Sequence, residues 1–277
     1  MSHPLLVESI ENQFVPGLIY NNQNEDKEKL ARFKEPSWNN PVIRFLDADL
    51  KDIVSRKDGV WSTHQVVSRM IESLKAAKKT VPATLELVKL QTSSQTEVAT
   101  FAMHCYWEGE VQFGKIKGVK QTRSAWHDGK EIVNIAFDPT VSTYEEIVKA
   151  ALQVRCASTI YTRSPLQKKI ADSLAEGRVQ SIDPEVFGRA AKASDQKYYL
   201  QSSPIRLVPM TDTQQVRVNS ALGSRSDTAR YLSPKQIKMA KWIQKNAERP
   251  GWLDELAKAQ AKMNLVDYDA FVTQKMK

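Results

Sequence analysis

The stretch Thr100-Phe101-Ala102-Met103-His104-Cys105-Tyr106-Trp107-Glu108-Gly109-Glu110 sets the reading of the whole chain. Residues 98–103 are β-prone and apolar and predict a strand. Residues 105–113 predict a helix, so Cys105 stands where a strand hands over to a helix. Unpaired backbone N–H groups and the positive end of the helix dipole favour the anionic form of a thiol held there. A protonated His104 would add to this, whereas Glu108 and Glu110 oppose it. The competing reading is a buried, inert cysteine.

Working outward, residues 132–137 predict a second strand, closed by the turn Asp138-Pro139-Thr140. A helix over 143–152 follows, capped by Ser142 or Thr143, with Glu145 and Glu146 in its first turn. This β-α-β-α order suits a ferredoxin-like split sheet in an α+β protein. Upstream, Phe14-Val15-Pro16-Gly17-Leu18-Ile19-Tyr20 predicts a short strand, and Pro41-Val42-Ile43-Arg44-Phe45-Leu46-Asp47 a second. A hairpin is expected around Lys57-Asp58-Gly59. After it, Ser62 or Thr63 caps a helix whose apolar residues Val66, Val67, Met70, Ile71 and Leu74 recur at helical spacing. Residues 76–95 read as a linker able to contribute a strand at 85–90. Beyond residue 180 the chain turns irregular. It ends in helices expected over 234–247, behind the cap Ser233, and 253–263, after Pro250-Gly251.

A length of 277 residues suits about two domains. The 41% hydrophobic and 26% charged fractions are those of a globular protein. No apolar run reaches the roughly 18 residues a membrane helix needs. The acidic start, with no basic region before an apolar run, is not that of a signal peptide, so a cytoplasmic location is expected. Two cysteines, Cys105 and Cys156, are too few for a disulfide framework or a thiolate zinc cage, and the histidines have no metal-site spacing. The net charge of +8 lies mostly in residues 181–277, with 16 Lys and Arg against 10 Asp and Glu. There Lys235, Lys238, Lys241 and Lys245 line one helix face. Without aromatic interleaving this stripe reads as a solvated face rather than a nucleic-acid grip, which would show as steeply salt-dependent affinity.

The central stretch resembles the A-type peptide methionine sulfoxide reductases. These carry Gly-Cys-Phe-Trp-Gly at a strand-to-helix junction, with a glutamate five residues after the cysteine; here stand His104-Cys105-Tyr106-Trp107-Glu108 and Glu110. Lys117-Gly118-Val119 sits at the family's Pro-Gly-Val turn. The family's His-Ala-Glu strand, ending in Tyr-Asp-Pro and then Ser-Tyr-Glu-Glu, is echoed by Lys130-Glu131-Ile132-Val133-Asn134-Ile135-Ala136-Phe137-Asp138-Pro139 and Thr143-Tyr144-Glu145-Glu146. The resemblance implies that Cys105 attacks a sulfoxide sulfur and that Glu131 protonates the departing oxygen. It also implies that Tyr106 and Trp107 wall the substrate methyl group. Cys156 is the candidate to resolve the resulting sulfenic acid. Methionine sulfoxide, free or in oxidised protein, is the implied substrate and a thioredoxin-like protein the implied reductant, with no metal or organic cofactor. The sequence departs from the family at His104 and Glu108, where glycines are usual. The loop that carries a tyrosine in the family is shortened to Ala125-Trp126-His127-Asp128-Gly129-Lys130. A later aspartate-and-tyrosine stretch is replaced by Gln153-Val154-Arg155-Cys156-Ala157-Ser158-Thr159-Ile160-Tyr161. Trp126 and Tyr161 are the aromatic residues available to stand in.

Residues 3–79 are similar to the later part of a thioredoxin fold, with Asn40-Pro41 where thioredoxins place a cis proline. The whole chain resembles a bacterial family of thioredoxin-like (seleno)proteins named for a VPGUxxT motif, in which a methionine sulfoxide reductase-like module follows. That motif lies upstream of the part corresponding to Ser2-His3-Pro4-Leu5-Leu6-Val7. The expected organisation is therefore a truncated thioredoxin-like region over 1–80, a ferredoxin-like reductase-type domain over 96–180, and a basic, mainly helical extension over 181–277. Two functions fit: a thiol-dependent oxidoreductase, or a non-catalytic binding module using the cleft of Tyr106, Trp107 and Trp126.

Overall fold

The structure, a computed structural model, describes all residues except 1, 2, 22, 37, 39, 40, 155 and 156. The chain divides into two compact units, Met1–Thr92 and Ser93–Lys277.

In the first unit, helix α1 (Pro4–Gln13) leads through an irregular segment to α2 (Lys27–Arg32), followed by strands β1 (Val42–Leu46) and β2 (Asp52–Asp58). Helices α3 (Thr63–Ala76) and α4 (Ala83–Thr92) complete it. The helices meet through Leu5, Leu6, Val67, Met70, Ile71, Leu74, Leu85 and Val88. Ser62 caps α3 in a capping box with Gln65, each side chain serving the other's backbone N–H.

Three expectations are corrected here. Residues 14–20 form no strand: Pro16 has no N–H to give a ladder, and Val15 and Leu18 are exposed rather than paired into a sheet. The hairpin turn falls earlier than 57–59. Asp47 Oδ1 accepts from the N–H groups of Asp49 and Lys51, turning β1 directly into the antiparallel β2. Residues 85–90 belong to a helix, not a strand. Pro82 O accepts from Leu85 and Glu86 N–H, and Leu85 and Val88, three apart, enter the core together. A short apolar run carries no period of its own to announce this. The Asn40–Pro41 bond lies outside the described residues.

The second unit begins with β3 (Glu97–Met103), α5 (Tyr106–Phe113), β4 (Val119–His127), β5 (Lys130–Phe137), α6 (Tyr144–Gln153) and β6 (Ala157–Thr162). Helix α7 (Pro165–Leu174) and the short strands β7 (Val179–Ser181) and β8 (Arg189–Ala190) follow. The sheet order is β7-β6-β3-β5-β4-β8. Its centre, β6-β3-β5-β4, is antiparallel throughout, so β3 to β6 make the split β-α-β-β-α-β arrangement of an α+β domain. Strands β4 and β6 and helix α7 went unread in the sequence. Gly118, in the turn before β4, packs so closely on Ser142 that a Cβ would lie 2.8 Å from that side chain. Thr143 caps α6 in a capping box with Glu146.

The remainder is more ordered than its sequence suggests. It forms α8 (Tyr198–Gln201), α9 (Asp212–Gly223), α10 (Pro234–Lys245), α11 (Trp252–Lys262) and α12 (Leu265–Lys275). Helix α9 serves two cores. Val216 joins Phe101, Phe113, Val133 and Ile135 above the sheet, whereas Val218 joins Leu207, Met239, Ile243, Leu256 and Val272 among the later helices. Residues beyond 180 are thus part of the same compact unit as the sheet. In the lysine stripe, Lys235 pairs with Asp269 while Lys238, Lys241 and Lys245 are exposed. No helix among the described residues is long and apolar enough to cross a membrane.

Candidate active site

Alternation along β3 and β5 decides which side chains meet at the mouth of α5. Met103 pairs with Glu131, and Glu131 pairs on its other side with Trp126 of β4, so one row across three strands points towards α5. Two residues beyond Met103, Cys105 is the N-cap of α5, with φ −142° and ψ 114°, and is half-buried. Its side chain makes no capping bond. Instead the Tyr106 N–H, the first of the helix, donates to Glu131 Oε2 at 2.7 Å. A carboxylate from the neighbouring strand therefore caps the helix start beside the thiol.

Aromatic rings enclose this point. Trp126 stands edge-on to Tyr106, with ring centroids 5.9 Å apart, and Trp107 tilts against Tyr106 at 6.2 Å. Trp107 also stacks on Tyr198 at 3.9 Å, with 12° between the planes. The Tyr106 hydroxyl donates to Asp195 at 3.3 Å. Burial, with the nearby Asp195 and Glu131 carboxylates, pushes that hydroxyl up to about 12. The Tyr199 hydroxyl is raised by burial, and then by Glu108 and Cys105, so Tyr199 lies within electrostatic range of the thiol.

The structure thus brings Cys105, Glu131, Tyr106, Trp107 and Trp126 together. Tyr161 is not among them. It lies on the opposite face of the sheet with Ala102, Ala125 and Ile132, its ring edge-on to His127 at 5.2 Å. Strand parity explains this: Tyr161 pairs with Thr100, one pleat out of step with the Phe101–Met103 row. Cys156 lies outside the described residues.

Sequence reasoning missed Asp195, Tyr198 and Tyr199, which come from a segment read as irregular. Gln196 fastens the segment to β4 by imitating a strand partner. Its Oε1 accepts from Ser124 N–H at 3.0 Å and its Nε2 donates to Ser124 O at 2.6 Å. The only local signal was the adjacent tyrosine pair itself.

No family model matches the chain. Curated relatives do, and they agree. A peptide methionine sulfoxide reductase MsrA of Streptomyces griseus is 29% identical over 109 residues, covering 28% of this chain and 49% of that protein. The MsrA of Sulfolobus acidocaldarius is 28% identical over 110 residues, 28% of this chain and 62% of its own length. That of Methanococcus maripaludis is 24% identical over 150 residues, 40% of this chain and 96% of its own. The chain spans about half the length of the first of these relatives. The chain therefore contains a methionine sulfoxide reductase-like domain of mixed α and β structure.

Proposed function

We propose that the protein is a thiol-dependent reductase of methionine sulfoxide, with Cys105 as nucleophile. One observation carries this reading: the half-buried thiol at the start of α5 shares that helix end with the Glu131 carboxylate, bound to the next N–H at 2.7 Å. The Cys105 thiol passes its proton to the Glu131 carboxylate as its sulfur attacks the sulfoxide sulfur, and Glu131 hands that proton to the oxygen as the S–O bond weakens. The oxygen passes to Cys105. The sulfoxide is reduced to the sulfide and the thiol oxidised to a sulfenic acid. Tyr106, Trp107, Trp126 and Tyr198 supply an apolar wall for the methyl group, and the Tyr199 hydroxyl supplies a donor near the transferred oxygen.

Regeneration consumes two thiol equivalents: one forms a disulfide with the sulfenate sulfur and releases water, and the second breaks that disulfide. Cys156 followed by a thioredoxin-like dithiol protein fits this role, as does such a dithiol acting alone. The first unit is the natural counterpart of the thioredoxin-like region of the family that the sequence resembles, and a cytoplasmic setting supplies the reductant.

The test is turnover of free and peptide-bound methionine sulfoxide, with dithiothreitol as reductant, by the wild type and by Cys105→Ser. Turnover in the wild type, and its loss by more than about 10³-fold in the variant, is expected. Equal turnover in both proteins, or none in either, overturns the assignment. Sulfoxide binding without turnover would give the cleft a recognition role.

A further inference from the structure

Glu110 is completely buried in the second turn of α5, on the helix that Cys105 begins. Its Oε1 accepts from the Thr122 hydroxyl at 2.9 Å, and its Oε2 accepts from the Lys197 backbone N–H at 2.6 Å. The Lys197 ammonium lies 3.7 Å from the same carboxylate and donates to Thr122 O at 2.8 Å. Lys197 has φ +50°, a left-handed conformation that is strained for an ordinary residue and persists only where the surroundings impose it. It is also the residue immediately before Tyr198 and Tyr199.

The segment after Lys197 is held from the other side by α9. Leu200 N–H donates to Asn219 Oδ1 at 3.1 Å. The Tyr199 ring packs onto Gly223, where a Cβ would come within 2.9 Å of it. Glu110 supplies the charged tie between this aromatic segment and the Cys105 helix. An apolar pair would bury similar area at comparable stability, but only a hydrogen-bond acceptor at this point dictates the direction of the Lys197 N–H.

From this geometry we infer that Glu110 is a positioning residue, setting the Tyr198–Tyr199 wall at its working distance from Cys105. The inference rests on the reductase reading for its kinetic consequence, but its structural content is tested without turnover. The near-ultraviolet circular dichroism difference between the wild type and Trp107→Phe isolates the band of the Trp107–Tyr198 stack. Glu110→Leu, which removes both acceptors, loses that band, whereas iodoacetamide labelling of Cys105, mapped by mass spectrometry, continues as in the wild type. Glu110→Gln keeps an oxygen for the Lys197 N–H and retains the band. Lys197→Pro attacks the tie from the other side, removing the N–H and forbidding the positive φ. It loses the band without any change in α5, and serves alone if Glu110→Leu does not fold. In the kinetic arm, KM for methionine sulfoxide rises about tenfold in Glu110→Leu and Lys197→Pro, with kcat changed less. Persistence of the band in the folded Glu110→Leu and Lys197→Pro variants overturns the inference. So does loss of Cys105 labelling in step with the band, which would make Glu110 a support of α5 itself. A wild type without turnover defeats the reductase reading, while the band still decides the role of Glu110.

Discussion

The two ends of α5 are built on opposite terms. At the N-terminal end one carboxylate, Glu131, meets one N–H, and the thiol beside it stays half-buried. At the C-terminal end the buried Arg217 of α9 donates to Gly114 O, to Lys117 O at 2.7 Å and to Val119 O at 2.9 Å, and the Ser220 hydroxyl donates to Val111 O at 2.6 Å. Burial draws the Arg217 guanidinium down to about 10, so it still carries its charge at neutral pH. Val111 O and Gly114 O, at the end of α5, are thereby met by side chains of α9, as are two carbonyls of the turn and strand that follow. Rigidity is concentrated where no chemistry is expected, and reachable atoms are left where it is.

That contrast can be broken from either end. Arg217→Met leaves three carbonyls without their donor and is expected to cost about 3 kcal/mol, read by urea unfolding of the whole chain. Labelling of Cys105 should persist, because Glu131 still caps the opposite end. Undiminished stability would show that the clamp contributes nothing. Glu131→Gln keeps an oxygen for Tyr106 N–H but has no proton to relay in the same way. Sulfoxide turnover should fall about 10²-fold with the unfolding midpoint unmoved, and a midpoint that drops in proportion would make Glu131 a cap and nothing more.

The smallest effect concerns the turn that leads into α6. Burial disfavours the charge on Asp138, yet hydrogen bonds from Ser93 and Thr140 and the nearby Lys120 outweigh it and hold the carboxyl below its usual range. A carboxyl depressed in the folded state adds stability above its unfolded value of about 3.9 and loses it as the pH falls through the folded value. The melting temperature of the wild type should therefore fall more steeply than that of Asp138→Asn as the pH drops below about 4. Parallel curves would remove Asp138 from the account.

Local grammar was legible wherever it suffices to define an element. The Ser62–Gln65 and Thr143–Glu146 capping boxes mark helix starts at the residues where the structure begins α3 and α6. The strand-to-helix handover at Cys105 was equally readable, whereas Glu131 came from the family resemblance. Where an element is defined by its neighbours, reading failed. The apolar run in α4 is helical because of what lies against Leu85 and Val88. Strand β6 is a strand through its pairing with β3, and α9 lacks a clean apolar stripe because it has cores on two sides.

The amino-acid order by itself placed a thiol at a helix start, because caps and turns act over a few residues, and the family resemblance added Glu131; the sheet pairing brings that carboxylate to the helix. Only the tertiary structure decided that Asp195, Tyr198 and Tyr199 join that thiol and that Tyr161 does not. Their arrival depends on a buried carboxylate, a left-handed lysine and the packing of α9, contacts that span some ninety residues or more of chain. No local preference encodes such meetings; they depend on which buried polar groups can find partners once the cores have closed.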